Sequence, residues 1–264
     1  MNRLRVLDAV RVHGALTQVE IASATGLSPA TVSNMVKELG AAGAVVLRPS
    51  VRNGRRAVQV SLAAASGLLA AVVFGDRDVQ TAIGTGGAAV IGRTRMPLPA
   101  NHPADEGMAR AARLLHEVVE ATGHSMTEVR AVGVGLPAPI DTVSGQVGSD
   151  GILPGWRGVR VARAMEEAVQ AEVLLDNTAN LAALGEFKHG ALRNTANSVF
   201  IKASHGVGAG LILGGELYRG SAGTAGEIGH VTIDEDGPVC RCGNRGCLDT
   251  FVGSEAVLRA LRPT

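Results

Sequence analysis

Three cysteines and one histidine fall within a single stretch of this chain, GHVTIDEDGPVCRCGNRGCLD, as Cys240, Cys242, Cys247 and His230. They are the chain's complete set of cysteines. A Cys-x-Cys disulfide would be strained, so mutual oxidation of Cys240 and Cys242 is not expected. Three thiolates and one imidazole make a closed tetrahedral shell for Zn²⁺. Gly243 and Gly246 let the loop wrap tightly around such an ion. The plainer alternative is three free thiols beside a solvated histidine.

Three further stretches offer chemistry. In LLDNTANLAALGE a strand ends in polar residues and a helix begins, which is where α/β folds place ligands. Asn177 and Asn180 can bond hydroxyls there, or Asp176 and Asn177 can simply cap the helix. In GTAGEIGH, Glu227 and His230 flank a tight glycine turn. A carboxylate beside an imidazole suits a hydroxyl-rich ligand or acid–base work. In SHGVGAG, Gly206, Gly208 and Gly210 could admit a phosphate against backbone N–H groups, although a β-hairpin turn needs glycines too.

These residues need a framework, and the chain from about Gly67 supplies one. LLAAVVFG and AVIGRTRMPL read as strands, MARAARLLHEVVEAT as an amphipathic helix, and VRAVGVGLPAPID as an apolar strand ending in a turn. VARAMEEAVQAE, VLLDN and TANLAALGEFKHGA continue as helix, strand and helix, and SVFIKASHGVGAGLILGGEL as two strands around a glycine turn. Such alternation predicts an α/β body. Hydrophobic residues make up 46% of the chain and aromatics only 2%, so aliphatic side chains must fill the core. No run of about 18 apolar residues is present, so no membrane span is expected. The basic start, MNRLRVLDAVRVHGALTQ, has no apolar signal core. A cytoplasmic, reducing setting is expected.

The net charge of +1 hides an asymmetry. Residues 1–62 carry eight Lys and Arg against Asp8, Glu20 and Glu38, so the remainder is acidic on balance. A basic head suggests an anionic partner for that part alone. Thr17 with Glu20 forms a capping-box pattern, and Ala22, Val19 and Ile21 give the helix after it a small buried face. Gly26 supplies a turn, and Ser28-Pro29 starts a second helix through Leu39. This is a helix-turn-helix pattern. The second helix exposes Ala30, Thr31, Ser33, Asn34 and Lys37: small polar groups for base edges and Lys37 for phosphate. AVVLRPSVRNGRRAVQVSL then reads as a wing, two strands turning at Asn53-Gly54, with Arg52, Arg55 and Arg56 at its tip for phosphate or minor-groove contact. The expected organisation is a winged helix-turn-helix over residues 1–62, a linker over 63–67 and the α/β body over 68–264.

Together, GEIGHVTIDEDGPVCRCGNRGCLD, GVGLPAPID, ILPGW, DNTANLAALGE and GVGAGLIL resemble the ROK family of repressors, open reading frames and sugar kinases, and with the winged helix in front the chain resembles its regulator branch. The resemblance implies an actin-like (ribonuclease H-like) body of two α/β lobes with a sugar in the cleft. It implies that Asn177, Glu227 and His230 contact sugar hydroxyls, with His230 also on zinc. Asp249 stands where the family usually has Glu, a shorter reach. The family's kinases carry Asn-Asp-Ala-Asn, whose Asp is the general base; here the stretch is Asn177-Thr178-Ala179-Asn180, and Thr178 cannot accept that proton. In the phosphate motif Asp-x-Gly-x-Thr, Val73 stands for the Asp and Arg77 for the Thr, and Val73 cannot help hold Mg²⁺. Family members generally run well beyond the stretch matching FVGSEAVLRALRPT, so the second lobe is expected to be incomplete, with apolar surface exposed.

The reading that follows is a sugar-responsive transcriptional regulator, a repressor and not an enzyme, binding double-stranded DNA as a homodimer or higher homo-oligomer with a structural zinc ion. Two rivals remain: an ATP-dependent sugar kinase with a DNA-binding head, and a constitutive DNA-binding protein whose body only dimerises.

Overall fold

The computed structural model describes residues 2–52, 55–63, 67–86, 89–99, 101–141, 143–148 and 153–261. The expected turn residues Asn53 and Gly54, residues 64–66 of the expected linker, and Ile152 of ILPGW lie outside the described residues, as do the side chains of Arg52, Arg55 and Arg56. The chain forms two compact units, Met1–Ser66 and Gly67–Thr264.

The first unit runs α1 (Asn2–His13), β1 (Leu16–Thr17), α2 (Gln18–Thr25), α3 (Pro29–Ala41), β2 (Val45–Arg52) and β3 (Arg55–Leu62). Both predicted caps are present. Thr17 Oγ1 accepts from the Glu20 N–H while the Glu20 carboxylate accepts from the Thr17 N–H at 2.8 Å. Ser28 Oγ accepts from the Thr31 N–H at 3.1 Å, with Pro29 in the first turn. The strands form a sheet of order β1-β3-β2, and its hairpin register pairs Arg52 with Arg55. Val6, Val10, Ile21, Val32, Val36, Leu39, Val45 and Val60 make the core. One expectation is corrected. Ile21 is buried, but Val19 is 76% exposed, because it sits in the first turn of α2, two residues and about 200° away from Ile21.

The second unit begins with β4 (Leu68–Phe74), β5 (Asp78–Thr85), β6 (Val90–Pro97), α4 (Ala104–Ala121), β7 (Val129–Leu136), α5 (Val161–Val169), β8 (Glu172–Asn177) and α6 (Thr178–His189). It continues through β9 (Ser198–Ala203), β10 (Val207–Leu213), β11 (Glu216–Tyr218), α7 (Asp249–Val252) and α8 (Ser254–Ala260). β5 is a strand that the reading of the sequence did not name. Its alternating burial was obscured by the polar Asp78, Gln80 and Thr81. A five-stranded sheet has the order β6-β5-β4-β7-β8, with β4, β7 and β8 parallel and β5 and β6 antiparallel. A three-stranded antiparallel sheet has the order β11-β10-β9.

Helix α4 buries Met108, Ala111, Leu115, Val118 and Val119, a stripe at helical spacing, against the larger sheet. Trp156 of ILPGW is fully buried, stacked edge-on against Phe74 at 5.1 Å, and its indole N–H donates to the His102 carbonyl at 3.2 Å. It thereby anchors the end of β4, where the cleft begins. Helix α6 packs on β10 and β9. Gly210 makes this approach possible, since a Cβ there would overlap Ala183 and the Ala179 carbonyl.

Candidate nucleic-acid interface, ligand cleft and metal-ligand cluster

On α3, Ala30, Ser33, Asn34 and Lys37 are exposed on one side, opposite buried Val32, Val36 and Leu39. Thr31 is half-buried, and its hydroxyl lies 2.8 Å from that of Ser28, so it serves the cap as well. This face can reach base edges from the start of the helix and a phosphate from Lys37.

In the second unit, the β4–β5 turn, the start of α6, the β9–β10 turn and the Glu227–His230 turn surround a cavity of about 270 Å³. Asn177, Thr178, Glu227 and His230 line it together, with Val73 on its wall. Asn177 is the N-cap of α6: its Oδ1 accepts from the Ala179 N–H at 2.7 Å and its Nδ2 donates to the Ala138 carbonyl at 3.1 Å. One lone pair and one amide hydrogen remain for a ligand. Burial pushes the Glu227 carboxyl above its ordinary range, with Asp249 adding and Arg241 opposing. Among the described residues that carboxylate makes no hydrogen bond or ion pair.

Asp176 does not line the cavity. It is 7% exposed and accepts from the Asn177 N–H at 2.7 Å, from Asn180 Nδ2 at 2.9 Å, and from Arg219 Nε and Nη2 at 2.8 and 2.7 Å. The sequence places the carboxylate two positions from Thr178, and the strand register turns it away. Asp249 is likewise not on the cavity that Glu227 and His230 share. Its Oδ1 accepts from the Val207 N–H at 2.8 Å and its Oδ2 from Arg241 at 2.6 Å, so it braces the β9–β10 turn.

Beside the cleft, His230, Cys240, Cys242 and Cys247 bring their ligand atoms within 4.8 Å of one another. Cys240 Sγ lies 3.6 Å from His230 Nδ1, and Cys242 Sγ 3.7 Å from Cys247 Sγ. With metal–sulfur bonds of about 2.3 Å, the edges of a tetrahedron are about 3.5 to 3.8 Å, so the donor set fits a four-coordinate ion. The Gly246 φ of +59° belongs to the left-handed region, and a Cβ there would overlap the Asp234 carbonyl. Burial and the neighbouring thiols push Cys247 up to about 12. Burial works the same way on Cys242, but the Asn244 N–H and the other two thiols outweigh it and lower that thiol. Burial lowers the His230 imidazole, Asp249 opposing. Ligation through Nδ1 would leave the other ring nitrogen free, and His230 also lines the cleft.

The sequence reading missed Lys202, Arg219 and Arg241. Lys202 carried a signal: alternation along SVFIKA puts it on the same half-buried side as Phe200. Arg219 and Arg241 act through partners distant in sequence or in an irregular loop, and neither has a local signature.

The fold and the site define a class of protein: a winged-helix head joined to an actin-like α/β body with a cysteine–histidine loop beside a cleft. The chain belongs to the ROK family, whose match covers residues 69–263, and residues 1–56 match the MarR family. A xylose repressor of Caldicellulosiruptor bescii is 29% identical over 268 residues, covering 99% of this chain and 66% of that protein. The chain thus spans about two thirds of the length of such curated relatives. A ROK family transcriptional regulator, a homolog of the E. coli MLC protein, shares the fold with a TM-score of 0.74 at 24% identity, covering 99% of this chain and 69% of that one. A ROK family glucokinase from Streptomyces griseus, solved with glucose and AMPPNP, has a TM-score of 0.65 at 28% identity, covering 73% and 59%.

Proposed function

We propose that this chain acts as a sugar-responsive DNA-binding regulator, a repressor that binds double-stranded DNA as a homodimer and does not phosphorylate its ligand. One observation carries the second half of this reading: uncharged Thr178 lines the cleft, while the neighbouring carboxylate, Asp176, is held by Arg219 and Asn180. General-base help of roughly 10²–10⁴-fold is therefore lacking at this position. Val73 adds a second uncharged wall where a metal-holding carboxylate would be needed for phosphoryl transfer.

In the cleft, Glu227 accepts hydroxyl hydrogens, the free ring edge of His230 meets a further hydroxyl, and Asn177 offers its remaining lone pair. Asp249 acts by holding the Val207 turn in place. His230, Cys240, Cys242 and Cys247 hold a structural Zn²⁺. When bound, the ion neutralises the thiolates and contributes on the order of 10 kcal/mol to ordering their loop. In the head, Ala30, Thr31, Ser33 and Asn34 read bases, Lys37 meets phosphate, and Arg52, Arg55 and Arg56 contact phosphate or the minor groove. A sugar changes operator affinity only by preferring one arrangement of the protein over another.

The test pairs operator binding by fluorescence anisotropy, with and without a sugar panel, with an ATP-coupled phosphorylation assay. Sugar-dependent anisotropy, its loss on Arg55→Ala plus Arg56→Ala, and no sugar-dependent ATP turnover are expected. Turnover that Thr178→Ala or Asp176→Ala abolishes would overturn the reading in favour of a kinase. Operator binding that ignores every sugar would favour a constitutive DNA-binding protein.

A further inference from the structure

Lys202, on β9, lines the same cavity as Asn177, Glu227 and His230. It is half-buried, and among the described residues its ammonium group makes no hydrogen bond or ion pair. The charge acting on it is that of Asp78. That carboxylate is already engaged, accepting from Arg95 Nε at 2.6 Å and from Gln80 Nε2 at 3.1 Å. The other charges on the wall are matched too. Arg241 holds Asp249, and Asp76 faces Arg77 at 3.6 Å and His205 at 3.7 Å. Among the described residues, Lys202 and Glu227 are thus the cleft's two charged side chains left without a partner. The charge acting on Lys202 is that of Asp78, whereas Arg241 and Asp249 act on Glu227.

A partly desolvated ammonium group whose acting counter-charge, Asp78, is bonded to Arg95 and Gln80 is unfavourable, and burial lowers the Lys202 pKa with Asp78 opposing. Gly208 lies directly across the strand pair from Lys202 and has no side chain, Val73 and Thr178 are uncharged, and the carboxylates of Asp78 and Asp76 on the same wall face Arg95 and His205. A carboxylate in place of Val73 or Thr178 would repel a ligand anion.

We propose that the carbohydrate bound in this cleft is acidic, carrying a phosphate or carboxylate group that Lys202 holds while Glu227 and His230 hold its hydroxyls. The proposal rests on the sugar-binding reading above and narrows its ligand class. A charge-assisted hydrogen bond in such a site makes the acidic sugar bind about 10- to 100-fold more tightly than its neutral parent.

Calorimetry and thermal-shift measurements on the full chain test this with glucose, galactose and N-acetylglucosamine, the 6-phosphate of each, glucuronate, galacturonate, and inorganic phosphate alone. The expected result is preference for one acidic series, weakened by 1 M salt. The phosphate and uronate arms identify the anion. Lys202→Met is expected to bring the acidic sugar down to the affinity of its neutral parent, and Lys202→Arg to retain part of the preference. Neutral sugars that bind as tightly as acidic ones, with Lys202→Met and Lys202→Arg both without effect, would overturn the acidic ligand and leave sugar binding intact. No binding of any sugar to the wild-type chain, or binding of inorganic phosphate alone, would overturn the sugar-binding reading itself.

Discussion

Replacing Asp176 by Ala removes the acceptor shared by Arg219, Asn180 and the Asn177 N–H. The Arg219 bonds are charge-assisted, but its side chain is 45% exposed and can turn to water, so their loss is screened to about 1–2 kcal/mol. Asn180 fares worse. Its residue is 3% exposed, its Oδ1 has no partner, and Nδ2 holds to Asp176 alone. Stranding that amide costs about 1–3 kcal/mol. The sum is about 3 kcal/mol, which lowers the unfolding midpoint of a domain this size by about 6–12 °C. Thermal unfolding of wild type, Asp176→Ala, Arg219→Ala and the double variant forms a cycle, with an expected coupling energy of about 1–2 kcal/mol. Additive single effects, with coupling below about 0.5 kcal/mol, would refute the account of Asp176 as a structural anchor. So would an Asp176→Ala protein that melts like wild type.

Other consequences are as direct. Zinc is expected at one equivalent per chain by elemental analysis, and Cys247→Ser or a strong chelator should release it and lower the melting midpoint; a metal-free native protein would contradict the cluster's assignment. Glu227 has a folded pKa raised above its unfolded value of about 4.3, so its contribution is fully present below that value and is lost as pH rises through the folded pKa. Melting curves between pH 4.5 and 7.5 should therefore show Glu227→Gln gaining on wild type as pH rises, and a parallel pair of curves would refute the shift. Lys37→Ala should weaken operator binding across all sequences and reduce the salt slope by about 1, whereas Asn34→Ala should cost about 1–3 kcal/mol and relax discrimination at one position.

How much was legible in the sequence follows the range of each interaction. Thr17 with Glu20, and Ser28 with Pro29, are contacts within one helical turn, and both helix starts stand as read. The cysteines and His230 announced themselves by residue type, and the structure brings their ligand atoms together. The Asp176–Arg219 bond spans 43 positions and has no local signature. Strand β5 escaped notice because polar residues occupy several of its positions, one of them, Thr81, in the core. Asp249 looked like a ligand residue by its place in the motif, but the Val207 N–H and Arg241 claim both its oxygens.

Those two bonds show why a cysteine loop belongs beside this cleft. Leu248 N–H donates to the Val231 carbonyl and Ile233 N–H to that of Gly246, which closes the loop on itself. Asp249 then ties the loop to Val207, Arg241 ties it to the His205 carbonyl, and Ser254 N–H donates to the Ser204 carbonyl. Lys202 stands at the end of the strand that leads into that turn. One framework thus carries His230 on one side and the approach to Lys202 on the other. A ligand of the proposed kind, held by both Glu227 and Lys202, would have to match the spacing this framework sets. Loosening the loop by Cys247→Ser is therefore expected to weaken an acidic sugar more than its neutral parent, which calorimetry on the wild-type and variant chains measures.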